Sequence, residues 1–333
     1  MARAMPVWKR NLSRWPAASL ALAAAVILSA AHEAAAISIE LKDVASDRIE
    51  RQRAAGEGRL PLADTPDVGR LEQRLTEAGL KSGAPMLMRM FKETSELEIW
   101  LEKGDRFVLF ATYPVCHWAG TLGPKLREGD KQTPEGFYTI TNRQMRHLGR
   151  WQRAINIGFP NIYDRAHDRS GSYILMHGGC SSVGCFAMTN PVMNEIHGLA
   201  AAAIRDGQRY IPLHIFPFRL TDAALAARSE SPWHDFWSSL KEGYVSFERT
   251  RRPPRVAVCE GRYHVEDAPL KSASSETQSG AHRKNRRTST RADWAFGALR
   301  SGCPAPRVVT AEGPEHAATS GRAELGGRSV TQR

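Results

Sequence analysis

Several things are scarce in this chain, and each scarcity removes a class of protein. Five cysteines in 333 residues are too few for a fold held mainly by disulfides. No segment repeats, which sets aside solenoids and propellers. The apolar run "AASLALAAAVILSAA" is shorter than the roughly 20 residues that a membrane span needs, and no stop-transfer pattern follows it. Acid is also short: 35 Asp and Glu stand against 46 Lys and Arg, a net charge of +11 with pI near 9.7. That balance suits an anionic partner such as nucleic acid, a membrane face or an acidic polymer like cell wall, and charge does not choose among them. What is plentiful is apolar residue, 42% of the chain, enough for a real core in one large domain or two.

The N-terminus speaks to compartment. Arg3, Lys9, Arg10 and Arg14 precede the apolar run, and Ala34 to Ala36 supply the small residues of a cleavage site, so residues 1–36 read as an export signal. Outside the cytoplasm thiols tend to be oxidised, yet Cys116, Cys180, Cys185, Cys259 and Cys303 are odd in number. At least one therefore stays free or pairs between chains. A free thiol kept in an oxidising place is a candidate nucleophile.

Residues 37–83 form a charged, partly helical lead-in, with Leu71, Leu75 and Leu80 spaced as an apolar stripe behind the breaker "ADTPDVG". From Pro85 the texture turns to strands, "PMLMRMFKET", "ELEIWLEKG" and "RFVLFATYPV", a β-meander bounded by Gly, Asp and Ser. The loop "AGTLGPKLREGDKQTPEG" is of a length that is usually functional or mobile, and it leads to the strand "FYTIT". The strand "YILM" runs into His177. Beyond Asn190 a helix is predicted, capped by Thr189 or Asn190 with Pro191 in its first turn and Val192, Ile196, Leu199 and Ala203 on one face until Gly207. "YIPLHIFPF" reads as a strand, and "SPWHDFWSSLKEGYVSFE" as a helix whose Trp233, Phe236, Leu240 and Tyr244 face a core. From Ala268 the periodicity ends and eleven Lys or Arg face five Asp or Glu. Residues 267–333 read as a basic disordered tail, in which "HRKNRR" is a solvated charge run rather than a nucleic-acid contact.

Chemistry concentrates in "MHGGCSSVGCFAMTN", Met176 to Asn190. The spacing H-x2-C-x4-C at His177, Cys180 and Cys185 offers three metal ligands, but no second Cys/His pair lies nearby to complete a tetrahedron. A Cys180 to Cys185 disulfide would constrain the turn and silence both thiols. In the third reading Cys185 is a nucleophile in the turn "SVGC", where helix N-terminal N–H groups favour a thiolate and a developing oxyanion. Gly184 permits the sharp turn and close approach of substrate to its backbone. His177 is the base, and a carbonyl of Gly178 or Gly179 orients its other nitrogen. The plain alternative is a buried histidine and a small core cysteine.

These residues resemble the L,D-transpeptidase catalytic domain, the YkuD domain, whose signature sets a histidine upstream of a Ser/Thr-x-Gly-Cys turn, here Ser182, Val183, Gly184 and Cys185. The likeness is closer to the YafK-like branch and covers most of residues 84–266, through "YPVCHWAGTLGPKLREGDKQTPEGFYTIT", "INIGFPNIYDRAH", "HIFPFRLT" and "FWSSLKEGYVSFE". It implies an α+β fold, β-rich with mixed, sandwich-like sheets and flanking helices. It also implies a periplasmic enzyme on peptidoglycan stem peptides that works through a Cys185 thioester, with His177 as general base and no cofactor or metal. Val183 and Ala187 stand where the broad family carries histidine and arginine, which agrees with the YafK-like branch, some of whose members look like amidases that release a wall-linked lipoprotein. A lipoprotein or outer-membrane protein is therefore a partner to consider, nucleic acid is not, and a non-catalytic wall-binding module is the competing function. Under the same resemblance Lys125, Arg127 and Lys131 are candidates to meet substrate carboxylates, and Asn156 and Tyr163, with Asp164 and Arg165, to shape the cleft. Ser182 would support the turn. Cys116 and Cys180 are able to pair, leaving Cys185 free, while Cys259 either pairs with Cys303 or stays idle.

Overall fold

Strand periodicity builds the first sheet. A computed structural model describes residues 48–146, 149, 151, 153–268 and 300–303. The export-signal reading of residues 1–36 and most of the tail lie outside them. β1 (Met86–Phe91), β2 (Glu96–Lys103) and β3 (Arg106–Pro114) form the expected antiparallel meander, and β4 (Gly136–Ile140) joins the same sheet. The order is β3-β2-β1-β8-β4, in which β1 runs parallel to β8 (Ile211–Phe216) and every other pairing is antiparallel. β1 and β8 are buried at every residue, as befits strands covered on both faces.

Two helices supply that cover. Leu87, Arg89 and Phe91 share one face of β1 and meet α6 (His234–Thr250), where Tyr244, Phe247 and Glu248 lie. Trp100 of β2 packs edge-on to Phe247 with ring centroids 5.0 Å apart. Met86, Met88 and Met90 of the other face join the main apolar cluster with Val192, Ile196, Leu199 and Ala203 of α4 (Asn190–Arg205). Thr189 caps α4 by accepting from the Val192 N–H, and Pro191 occupies its first turn.

The lead-in contains α1 (Arg48–Gly56) and, behind a 3-10 turn at Val68–Arg70, α2 (Leu71–Glu77). Both elements touch the sheet domain. Arg51 donates to the Ser95 carbonyl at 2.8 Å, and Arg74 pairs with the buried Glu195 of α4 at 2.8 Å. Leu75 and Leu80 are buried and Leu71 only partly so; α2 ends at Glu77, and Gly79, with φ +64°, turns the chain before Leu80.

A small sheet carries the motif. β5 (Ile155–Asn156) pairs antiparallel with β6 (Leu175–His177), and β6 pairs in parallel with β7 (Phe186–Ala187). The strand predicted at "YILM" thus begins two residues late, since Tyr173 has φ +56° and leaves the extended region. α3 (Ile162–Ala166) opens with an Asn161/Asp164 capping box. α5 (Asp222–Ala226) is a short connector before α6.

A third sheet was not foreseen. β9 (Arg255–Cys259) and β10 (Arg262–Glu266) form a hairpin, and β11 (Arg300–Ser301) adds in parallel to β9. Cys303 then bridges to Cys259 and Cys116 to Cys180, while Cys185 is free. The architecture is α+β: mixed, sandwich-like sheets with flanking helices. Among the described residues no helix is long and apolar enough to cross a membrane.

Candidate active site

β6 and β7 bring the two halves of the motif side by side. Met176 pairs with Phe186 and His177 with Ala187, so one further step back along the parallel register sets Cys185 against Leu175. The Leu175 N–H accordingly donates to Cys185 Sγ at 3.3 Å. Residues two apart on a strand share a face, which places His177 on the Leu175 and Cys185 side of this pair, one diagonal step along.

His177 is 2% exposed and fixed from two directions. Its Nδ1 lies 2.6 Å from the Gly178 carbonyl. A carbonyl only accepts, so Nδ1 carries the proton and Nε2 carries the lone pair that a base needs. The Trp151 ring stacks on the imidazole with centroids 4.5 Å apart and planes 17° from parallel. Gly179 makes room for that indole: its φ is +92°, and a Cβ there would lie 2.3 Å from Trp151 Cζ3.

The cysteine turn is folded on one hydroxyl. Ser182 Oγ accepts from the Cys185 N–H at 2.6 Å and the Gly184 N–H at 3.2 Å, and donates to the Cys185 carbonyl at 2.8 Å. Gly184 has φ +128°, a conformation that glycine alone adopts readily. Cys185 is half-buried, and its Sγ has a longer contact of 3.8 Å to the Tyr173 carbonyl. Burial pushes the Cys185 thiol up from its ordinary value, while the Leu175 N–H, Ser182 and the Lys125 charge pull the other way.

The helix-dipole expectation needs correction here. α4 begins five positions after Cys185, and β7 occupies part of the gap, so the backbone of the central strand β6 and not a helix terminus donates to the sulfur. The disulfide also removes the alternatives. Cys180 is bonded to Cys116, with Cα atoms 5.0 Å apart, so it can neither bridge to Cys185 nor serve as the second thiolate of a metal set. Among the described residues, the one cluster with metal-ligand spacing is Cys259, Glu260 and Cys303, and its two sulfurs are bonded to each other.

The remaining candidates are dispersed. Lys125 is buried and paired with Asp130, and its Nζ also donates to the Arg127 carbonyl at 2.8 Å, so it faces inward. Asp130 in turn accepts from the Leu126, Arg127 and Gln132 N–H groups. Although burial opposes it, that set holds its carboxyl below the usual range. Arg127 and Lys131 are exposed. Asn156 lines a cleft of about 750 Å³ together with Arg165 and Tyr173. Tyr163 does not: it is buried, stacked on Tyr263 with centroids 4.2 Å apart. Asp164 is buried beneath it, paired with Arg169 at 2.9 Å and accepting from Tyr138 Oη at 2.8 Å.

Residues 94–207 match the L,D-transpeptidase catalytic domain, YkuD, and this stretch holds the whole of the cysteine turn and His177. The Escherichia coli K12 protein named "Putative L,D-transpeptidase YafK" is 45% identical over 183 residues, which are 55% of this chain and 74% of that protein. The chain belongs to the L,D-transpeptidase (YkuD) family. It is thus an L,D-transpeptidase-type cell-wall enzyme. Two solved structures are also similar. The helical cell shape determining protein Pgp2 of Campylobacter jejuni is 15% identical, covering 56% of this chain and 79% of that one, with a TM-score of 0.32. Bd1075 of Bdellovibrio bacteriovorus is 20% identical, covering 48% and 56%, with a TM-score of 0.28. At these scores the two structures add nothing to the assignment.

Within the YkuD domain, two features had no local signal in the sequence. Trp151 lies 26 positions before the imidazole it covers, and only the paired glycines after His177 hint that something large must fit there. The Leu175 N–H donor follows from the β6–β7 register, which two-residue strands do not reveal by periodicity.

Proposed function

We propose that this protein cleaves and transfers peptidoglycan stem peptides through a thioester on Cys185, after export to the periplasm. The observation that supports this reading is one free thiol whose turn runs beside the strand that ends in a tautomer-fixed histidine, with Cys185 and His177 one diagonal step apart in the extended β6–β7 register. Because burial raises the thiol, the resting sulfur holds its proton, and a general base must remove it as the reaction proceeds.

In the first step Nε2 of His177 takes the Sγ proton and Sγ attacks the donor carbonyl. The tetrahedral oxyanion needs N–H donors. The Gly184 N–H is the better placed of two to turn toward it, since its 3.2 Å bond to Ser182 is weaker than the 2.6 Å bond from Cys185. The C–N bond then breaks, the leaving amine takes the proton from His177, and the acyl group remains on sulfur. An acceptor amine or water next gives its proton to His177, attacks the thioester and frees Cys185. An amine yields a cross-link or protein anchor; water yields hydrolysis, including release of a wall-linked lipoprotein.

The test is Cys185→Ala incubated with purified sacculi or stem peptides. Product formation falls at least about a thousandfold, as when a sole nucleophile is removed, and intact mass of the parent enzyme gains the donor acyl group. Unchanged product from the Ala variant overturns the reading and leaves a wall-binding module. New cross-links in the product mixture identify the transferase outcome, and shortened peptides or freed lipoprotein the hydrolase.

A further inference from the structure

A cleft of about 750 Å³ is lined in part by Tyr173, whose carbonyl lies 3.8 Å from Cys185 Sγ. Three of its lining residues are Arg143, Arg146 and Arg165, and among the described residues no Asp or Glu lines it. All three arginines are exposed, and among the described residues none of them pairs with a carboxylate. The more buried Arg74, Arg89, Lys92, Lys125 and Arg169 each have an acidic partner, whereas these three face solvent, with Arg165 donating to the Pro160 carbonyl. Three like charges around one concave space repel one another and raise the local potential, a cost that a bound anion removes.

The cleft is tied to the reacting sulfur by Tyr173. This residue lines the cleft, its carbonyl accepts from Cys185 Sγ, and Leu175, two residues on, donates to the same sulfur. Tyr173 is also the residue with φ +56°, rare for a bulky side chain, and 69% of it is exposed. The backbone is bent so that a large aromatic ring stands at the rim and not in the core. Asn156 and Ser172 add neutral polar groups to the wall.

We infer that this cleft is the carboxylate subsite of the enzyme: Arg143, Arg146 and Arg165 hold the acidic peptide that flanks the scissile bond, with Tyr173 at the boundary between subsite and sulfur. The guanidinium fork matches a carboxylate with two parallel N–H donors, which a lysine does not reproduce. The buried Lys125, spent on Asp130, is not part of this subsite. The inference rests on the thioester reading for the identity of the peptide, and on the cleft alone for its charge.

Binding to the Cys185→Ala protein tests the subsite without turnover. The probes are the tetrapeptide of a diaminopimelate-type wall and the same peptide with its carboxylates converted to amides. Amidation weakens Kd at least tenfold, and so does the combined Arg143→Ala, Arg146→Ala and Arg165→Ala substitution, whereas Lys at all three positions restores part of the loss. With Cys185 present, the triple Ala variant raises KM at least tenfold and leaves kcat within about threefold. The inference is overturned if the two peptides bind equally, if neither binds, or if the triple Ala variant matches its parent. A wild-type enzyme that gains no acyl mass while arginine-dependent binding persists would instead refute the thioester and leave the subsite standing. An adduct that forms with unchanged KM in the triple variant does the reverse.

Discussion

Two polar centres of this domain, the Lys92–Glu135 pair under the loop of residues 115–135 and the Cys185 turn, differ from each other in how fully their hydrogen-bonding capacity is used. Lys92 is fully buried, and its Nζ meets Glu135 at 2.8 Å and the carbonyls of Thr121, Gly123 and Thr133. Glu135 also accepts from the Gly123 N–H at 2.7 Å and from Trp237 Nε1 at 2.8 Å. Every donor and acceptor there has a partner, and the long loop, of a length that is usually functional or mobile, is fastened to the core. Cys185 Sγ has one backbone donor at 3.3 Å and a distant carbonyl. A saturated centre holds shape, and an unsaturated one keeps room for a reacting atom.

The comparison can be broken first at the saturated centre. Lys92→Met leaves the Glu135 charge buried without compensation and lowers unfolding free energy by about 3–5 kcal/mol, measured by urea denaturation. Adding Glu135→Leu recovers most of that loss. If the single variant is as stable as its parent, the fastening of the loop lies elsewhere.

At the reacting centre, His177→Gln removes the base and lowers kcat by about 10² to 10⁴, with little change in the urea midpoint. A large loss of stability with proportionate loss of activity would make His177 a packing residue. Ser182→Ala deprives two N–H groups of their acceptor. The expected loss is about 1–3 kcal/mol of stability, at roughly 0.5–1.5 kcal/mol per bond, and about tenfold in kcat, read from parallel unfolding and turnover assays.

The gentlest probe is pH. A thiol raised by burial keeps its proton to higher pH, and alkylation requires the thiolate, so iodoacetamide labelling of Cys185 is slow near neutrality. It then rises through the alkaline range with a midpoint above that of an ordinary cysteine. A midpoint below the ordinary value would mean a preformed thiolate–imidazolium pair, and the contrast between the two centres would lose its chemical half.

Much of this was legible in the residues. The meander followed from short strand-like runs bounded by Gly, Asp and Ser, and α4 from Thr189 and Pro191, because those signals are local and the structure uses them locally. The β9–β10 hairpin went unseen although its sign was present. Glu260 and Gly261, both at positive φ, form a two-residue turn between "RVAVC" and "RYHVE". The motif's chemistry was legible as residue types but not as geometry. Trp151 on His177, Leu175 on Sγ and Glu135 on Lys92 are contacts across many positions, which spacing along the chain does not encode. The helix-terminus expectation failed for a related reason: two residues of strand between Cys185 and α4 are too short to show a period.

The Cys259–Cys303 bond closes the intervening chain into a covalent ring. A protease that cuts anywhere inside that ring converts one polypeptide into two, yet the pieces remain a single molecule until a reductant is added. Such nicking would go unnoticed on a non-reducing gel and show as two bands once dithiothreitol is present.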